Sequence, residues 1–378
     1  MKTVGRLVLN ISTICVFGIS NAQEPNTPNP TAPGKGISPS KAVSAAQPAV
    51  PQMPADPEVL SAVVVISGEK AAGTGFFCKF RGKSYIATNQ HVLGAGNRLT
   101  IRTSQGASVT VKQIFAATDA DIALLECASI PPGVTELEVA TLPDSGIQKD
   151  DQIIVPGNSK ADGVITQTAG KLLAIGPQKI EVDNPVYGGN SGSPLLHVTS
   201  KKVIGVLTEA HLLSLNQFDK ASFRSKNSAI KSEIRYFGHR IDSVQKWEPL
   251  NWNAFQMTES VLKQNRGDLE DIFAYFTDSS DRYKNYTKLH EARIAAAKIY
   301  YDPSSSNADK IAAFNRFLRE IDFLARRAKS SLDSQKIYFF QKGEATTIVK
   351  MADAILKGSE IAKRDNDLVA TLLDRGKK

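Results

Sequence analysis

The stretch Tyr187-Gly188-Gly189-Asn190-Ser191-Gly192-Ser193-Pro194 decides how the rest of this chain is read. Three glycines, a serine between small residues and a closing proline define a tight turn. Glycine reaches the positive φ angles such a turn requires and has no Cβ to obstruct an approaching substrate. A serine presented in this way attacks a carbonyl if a base lies nearby. The amides of Gly189 and Ser191 would then face the oxyanion that forms. The same composition suits an ordinary polar loop, so the partners decide.

Those partners stand upstream, in the order His, Asp, Ser. Gly73-Thr74-Gly75-Phe76-Phe77 opens a β-like segment, and the run from Lys83 to Leu93 carries a second strand predicted to end at His91. Asp119-Ala120-Asp121-Ile122-Ala123-Leu124-Leu125 sets an acid before an apolar run. Taken together, GTGF, ATNQHV, DIALL and GNSGSP resemble the chymotrypsin-like serine peptidases over about residues 61–209, in particular their bacterial trypsin-like and Deg-type branch. An α/β-hydrolase elbow, G-x-S-x-G, fits poorly because Ser193 stands where the last glycine belongs.

The resemblance implies an all-β double barrel of chymotrypsin type with its site in the cleft between barrels. It gives His91 the part of general base toward Ser191 and of acid toward the leaving amine. The partner acid is expected directly before the apolar run, which favours Asp121 over Asp119; it would hold the imidazole tautomer and stabilise the imidazolium. Thr208 matches the small hydroxyl residue that supports the buried acid in the family. Asn190 is a departure: the digestive members carry an aspartate there that pairs with a freshly cut N-terminal amine. Activation by N-terminal insertion is therefore not expected here. Pro185 stands where an acidic pocket floor would select Lys or Arg, with Asp183 two residues away. Leu207 stands where glutamate-specific relatives carry a histidine. A small or medium uncharged side chain at the cleaved position is the default. His197, His239 and His290 read as packing or surface residues, and His211 lies where the pocket wall continues.

The remaining chain organises around this domain. Residues 1–22 read as a secretory signal: Lys2 and Arg6 at the start, an apolar middle from Leu7 to Ile19, and Ser20-Asn21-Ala22 as the cleavage site. That middle is short for a bilayer span; an uncleaved anchor is the alternative, and no integral span is expected in the mature chain. Residues 23–57 carry prolines throughout and few large apolar groups, the composition of a disordered spacer. The catalytic domain is expected at 58–242. Its strands start with Ser61 to Ile66 and include Leu99–Thr103, Val109–Phe115, Ile122–Glu126, Gln152–Val155, Gly163–Ile175, Val203–Thr208 and Ile234–Ile241.

Beyond Asp242 strand alternation stops. Trp247 to Trp252 reads as a hinge, followed by an α-helical C-terminal domain at 243–378. Its clearest helix is Asp309–Ser330, where Ile311, Phe314, Leu318, Ile321, Ala325 and Ala328 form one stripe and Asn307 is a candidate cap. Phe255–Tyr275, Tyr283–Tyr301 and Ala345–Leu372 are further helices. The stripe suits a bundle core, or self-association.

Once Cys15 leaves with the signal, Cys78 and Cys127 remain, either as one disulfide or as two buried thiols. No Cys/His cluster or phosphate loop is present, so neither a metal nor another cofactor is expected, and no nucleic-acid partner either. The net charge of +8 is modest for 378 residues; Arg326-Arg327-Ala328-Lys329 reads mainly as a solvated helix face. The resemblance thus implies an exported serine endopeptidase, periplasmic or secreted, hydrolysing protein or peptide substrates through an acyl-enzyme. The contrasting reading is a non-catalytic secreted binding protein that keeps the barrel. An intact His91, Asp121 and Ser191 argues against it.

Overall fold

The computed structural model describes residues 56–142, 146–214, 232–277 and 287–375. The expected signal and all but the end of the proline-rich spacer lie outside the described residues. Two compact units are present: the described part of Pro48–Glu259 together with Lys336–Lys342, and Ser260–Gln335 with Gly343–Lys378.

The first unit opens with a short helix, α1 (Pro57–Ala62). The Asp56 carboxylate accepts the Glu58 amide at 3.0 Å, and Pro57 fills the first turn, where a missing N–H costs nothing. Ser61 and Ala62, expected in the first strand, belong to this helix, and β1 runs Val63–Ser67. The chain continues through β2 (Ala72–Phe80), β3 (Lys83–Thr88), α2 (Gln90–Leu93), β4 (Thr100–Thr103), β5 (Val111–Ala117), β6 (Ala123–Cys127) and β7 (Leu137–Val139). Then come β8 (Gln152–Gly157), β9 (Thr166–Ile175), β10 (Lys179–Val182), β11 (Pro194–His197), β12 (Lys202–Ser214), β13 (Ser232–His239) and β14 (Trp247–Pro249).

Strands β8, β9, β10, β13, β12 and β11 pair in that order, and β11 pairs back to β8, closing a ring. The earlier strands form an array, β4-β1-β2-β3-β6-β5-β14, and β7 lies parallel between β2 and β12 to join it to the ring. Of the two barrels expected, the second closes through backbone ladders and the first does not. Instead the Val109 amide donates to the Ile101 carbonyl at 2.9 Å, tying β4 to the segment that leads into β5.

Side chains two apart on a strand share a face, which is why Ile153 and Val155, or Ile180 and Val182, fill the ring together with Leu172, Leu195 and Leu207. Val64, Ile66, Phe77, Ile86 and Leu125 do the same for the array, joined there by Leu250, Phe255 and Tyr338. Each such burial contributes about 1.5–3 kcal/mol. The expected hinge at Trp247 is instead strand β14, paired with β5, its Trp247 ring edge-on to Phe80 at 6.0 Å. Residues after 242 therefore extend the β unit, and the division between units falls after Glu259, inside a helix.

Cys78 on β2 and Cys127 on β6 are free thiols, on strands separated by β3. Burial pushes Cys78 up to about 12 and Cys127 up to about 11. Only the thiolate is nucleophilic. Both residues should therefore alkylate with iodoacetamide at pH 8 roughly 100-fold or more slowly than an exposed thiol. Intact mass should show two reactive thiols only after denaturation; rapid labelling of the folded protein would contradict this.

The second unit contains the larger part of α3 (Trp252–Thr277), α4 (Thr287–Tyr301), α5 (Asn307–Ser330) and most of α6 (Gln341–Arg375). The cap of α5 is Ser306, not Asn307: its hydroxyl accepts the Asp309 amide at 3.2 Å, while the Asp309 carboxylate accepts the Ser306 amide at 3.1 Å. Asn307 is already the first helical residue. Leu318, Ile321, Ala325 and Ala328 of the predicted stripe are buried, alongside Phe317 and Leu324, whereas Ile311 and Phe314 are half-buried. In the basic cluster, Arg327 pairs with Asp268 at 2.8 Å and Lys329 with Asp353 at 2.8 Å. No described helix is long and apolar enough to cross a membrane.

Candidate active site

Strand β3 ends at Thr88, three residues earlier than the sequence suggests, and His91 sits in the single turn α2. Two residues before it aim the site. Gln90 is fully buried, and its amide nitrogen reaches the carbonyls of Ala117, Ala120 and Ile122 at 2.8, 3.0 and 3.2 Å. The loop between β5 and β6 is thus wrapped around one side chain. Asn89, also buried, donates to the Asp121 carbonyl at 2.7 Å.

This wrapping turns Asp121 toward His91 and Asp119 away. One Asp121 oxygen lies 2.6 Å from His91 Nδ1, and the other accepts the His91 amide at 3.1 Å. Asp119 instead accepts the Gln245 amide at 3.5 Å. Asp121 is buried at 7% exposure, so the ion–dipole contact is little screened by water. Burial pulls His91 down, but the charge and hydrogen bond of Asp121, with Glu209 adding, outweigh it and hold the imidazole above its ordinary 6.5. A carboxylate on Nδ1 keeps the proton there and leaves the Nε2 lone pair to accept another.

Ser191 is fixed by its backbone. Its carbonyl accepts the Thr74 amide at 2.8 Å, and the adjacent Gly73 is wedged between that carbonyl and the side chain of Val92, next to His91. The serine turn and the histidine turn therefore bracket one glycine. No hydrogen bond joins His91 Nε2 to Ser191 Oγ among the described residues; in unliganded sites this contact is often long. Gly189 and Gly192 both take positive φ, 95° and 89°. The Gly189 carbonyl accepts the Thr74 hydroxyl at 2.7 Å, the Gly192 amide donates to the Leu207 carbonyl at 2.9 Å, and the Leu207 amide to the Ser193 carbonyl at 2.9 Å.

A Cβ on Gly192 would lie 2.0 Å from the Thr74 carbonyl oxygen and 2.5 Å from the Thr88 hydroxyl. Together with its φ, this clash should cost about 3 kcal/mol in Gly192→Ala, seen as a lower urea midpoint. A midpoint equal to that of the wild type would show that the turn tolerates a side chain.

Asn190, whose identity departs from the digestive pattern, is buried and needs no ammonium partner: its side-chain oxygen accepts the Ser159 hydroxyl at 2.9 Å, itself bonded to Thr166 at 2.6 Å. Thr208 does not reach Asp121. Its hydroxyl accepts from Asn89 at 3.0 Å and donates to the Val206 carbonyl at 3.0 Å, so it touches the acid's loop through Asn89. Asp183 points its carboxylate at the Lys171 amide.

Of the other histidines, His197 is locked between Ser200 and Asp151. His211 and His239 both face Glu209, which also holds Lys179 at 2.7 Å. Bonds to His239, Lys179 and His211 hold the Glu209 carboxyl well below the usual carboxylate range. His290 lies on α4.

Sequence reasoning quoted Asn89 and Gln90 as motif letters without giving them work. It also missed the segment Lys336–Lys342, which belongs to the same unit as the site. Its Phe340 ring lies 5.7 Å from His91 and its Phe339 ring 6.3 Å from His239. The available signal was three consecutive aromatics, Tyr338-Phe339-Phe340, between two helical patterns.

A buried acid, a histidine and a glycine-framed serine on a many-stranded β-barrel are the furniture of a trypsin-like peptidase domain, and residues 73–206 match the family model of that description. This part of the chain is similar to the trypsin-like peptidases of the Deg type. It is 30% identical over 145 residues to the serine protease Do-like HtrB of Bacillus subtilis (strain 168), covering 34% of this chain and 31% of that protein. It is also 30% identical over 146 residues to a probable periplasmic serine endoprotease, DegP-like, of Brucella suis biovar 1 (strain 1330), covering 36% of this chain and 27% of that protein. The similarity thus spans about a third of the length of these relatives or less. Among solved structures, the serine endoprotease from Yersinia pestis aligns with a TM-score of 0.34 at 21% identity, over 42% of this chain and 58% of that one.

Proposed function

We propose that this protein is an exported serine endopeptidase that works in the periplasm or outside the cell. Its barrel domain, a double barrel of chymotrypsin type, hydrolyses peptide bonds without a cofactor. The observation that carries the reading is the buried Asp121 carboxylate 2.6 Å from His91 Nδ1, on the turn beside the Ser191 loop.

In the reaction, His91 Nε2 takes the Ser191 proton as Oγ attacks the substrate carbonyl carbon. The amides of Gly189 and Ser191 stabilise the resulting oxyanion. The imidazolium then passes its proton to the leaving amine, an acyl-enzyme forms, and water releases it by the same steps in reverse order. Asp121 keeps the imidazole in the right tautomer throughout, Asn89 and Gln90 hold Asp121 in place, and Thr208 steadies Asn89. No described helix is long and apolar enough to cross a membrane, and the helical unit serves self-association or a partner protein. The reading of residues 1–22 as a secretory signal supports export, and the periplasmic name of a relative is in keeping with it.

The test is digestion of an unfolded protein such as reduced casein by purified mature chain. Cleavage by the wild type and none by Ser191→Ala is expected. A folded wild type that leaves casein intact would overturn the reading.

A further inference from the structure

Phe340 comes from beyond the barrel sequence, yet its ring stands beside His91, 5.7 Å away and tilted by 47°. The segment that brings it there is anchored on both sides of it. The Phe340 amide donates to Gln90 Oε1 at 3.3 Å, and Gln90 is the side chain that also holds the Asp121 loop. Tyr338, 1% exposed, packs on Phe255 and accepts the Asn251 amide at 2.9 Å through its hydroxyl. Gln341 is fully buried and donates to the Phe255 carbonyl and to Glu259, both at 3.1 Å. Lys342 reaches the Thr118 carbonyl at 3.2 Å.

Anchors of this kind fix a wall, whereas a removable cover would need weak ones. Phe340 itself spends no side-chain bond on its own segment. It keeps 37% of its surface exposed, next to a His91 side chain that is 25% exposed. An exposed aromatic ring on a rigid support, against the imidazole that services the cleaved bond, is a surface for an apolar group of the substrate.

We infer that Phe340 is a specificity-determining residue: it walls a subsite beside His91 that takes a large apolar side chain of a peptide substrate at a position flanking the cleaved bond. This rests on the peptidase reading above. The uncharged preference expected at the cleaved position itself is a separate matter.

The experiment uses the full mature chain and a peptide library randomised on both sides of the cleaved bond. Wild type should favour Leu, Ile or Phe over Ala at one flanking position. Phe340→Ala should reduce the kcat/KM ratio of apolar to Ala peptide there by about tenfold, and Phe340→Leu should retain most of it. Thermal melts confirm that each variant is folded, and if the Ala variant is not, Phe340→Gln, which keeps bulk but not the apolar ring and should lower the same ratio, carries the test. An unchanged ratio in a folded Phe340→Ala would overturn the inference while leaving the peptidase reading intact. So would a rise in cleavage of every peptide, since that marks the ring as a cover. A folded wild type that neither cleaves peptides nor reacts with a fluorophosphonate would overturn both.

Discussion

Ser191→Ala is expected to lower kcat by a factor on the order of a million, and His91→Ala by nearly as much. The two effects should not add. Without the hydroxyl there is no acyl-enzyme, and without the imidazole the hydroxyl stays protonated, so either loss removes the same step. What remains should be a rate roughly a thousand times that of water or more, supplied by the oxyanion donors and by substrate positioning alone. The double variant should therefore be no slower than Ser191→Ala. Single-turnover cleavage of a peptide ester checks this, and a double variant slower by the product of the two factors would contradict the shared step.

The second large effect concerns the acid. Asp121→Asn should reduce kcat by about 10⁴-fold, whereas Asp119→Asn should change it by less than about twofold. An amide at residue 121 presents an N–H to His91 Nδ1 and forces the proton onto Nε2, where it blocks attack. The pH profile should shift as well. In the wild type His91 titrates above its ordinary value, so activity, which needs the neutral base, rises with pH through that raised value. Asp121→Asn removes the largest raising influence and leaves burial, which favours the neutral form. Its acid limb should move to lower pH even as its maximum falls. Equal losses in the two Asn variants, or an unmoved limb, would mean that Asp121 is not the partner of His91.

Much of the site was legible because its residues are bound by local sequence. The glycines of the Ser191 turn announce positive φ, and both Gly189 and Gly192 adopt it. The family pattern favours Asp121 over Asp119, and in the structure Gln90 bonds the Ala120 and Ile122 carbonyls on either side of Asp121. That grip spans about thirty residues of sequence, which no periodicity encodes. Thr208 shows the same limit. The family pattern has it supporting the acid, whereas its hydroxyl bonds Asn89 and the Val206 carbonyl.

Helix α5 was visible from its stripe, while its cap fell one residue early, because Ser306 and Asp309 satisfy one another and Asn307 has no such partner. The strand at Trp247 was hidden by a Pro and two tryptophans that read as punctuation; its pairing with β5 is a long-range ladder. Residues 336–342 were the largest omission. Tyr338, Phe339 and Phe340 lie some 250 residues from His91, and only tertiary packing brings them to it.

The most direct test of the central claim is mass spectrometry of the mature protein after reaction with a fluorophosphonate. One adduct per chain, mapped to the peptide carrying Ser191 and absent from Ser191→Ala and His91→Ala, is the expected result. An unmodified chain, or an adduct on any other serine, would contradict the assignment of Ser191 as the nucleophile.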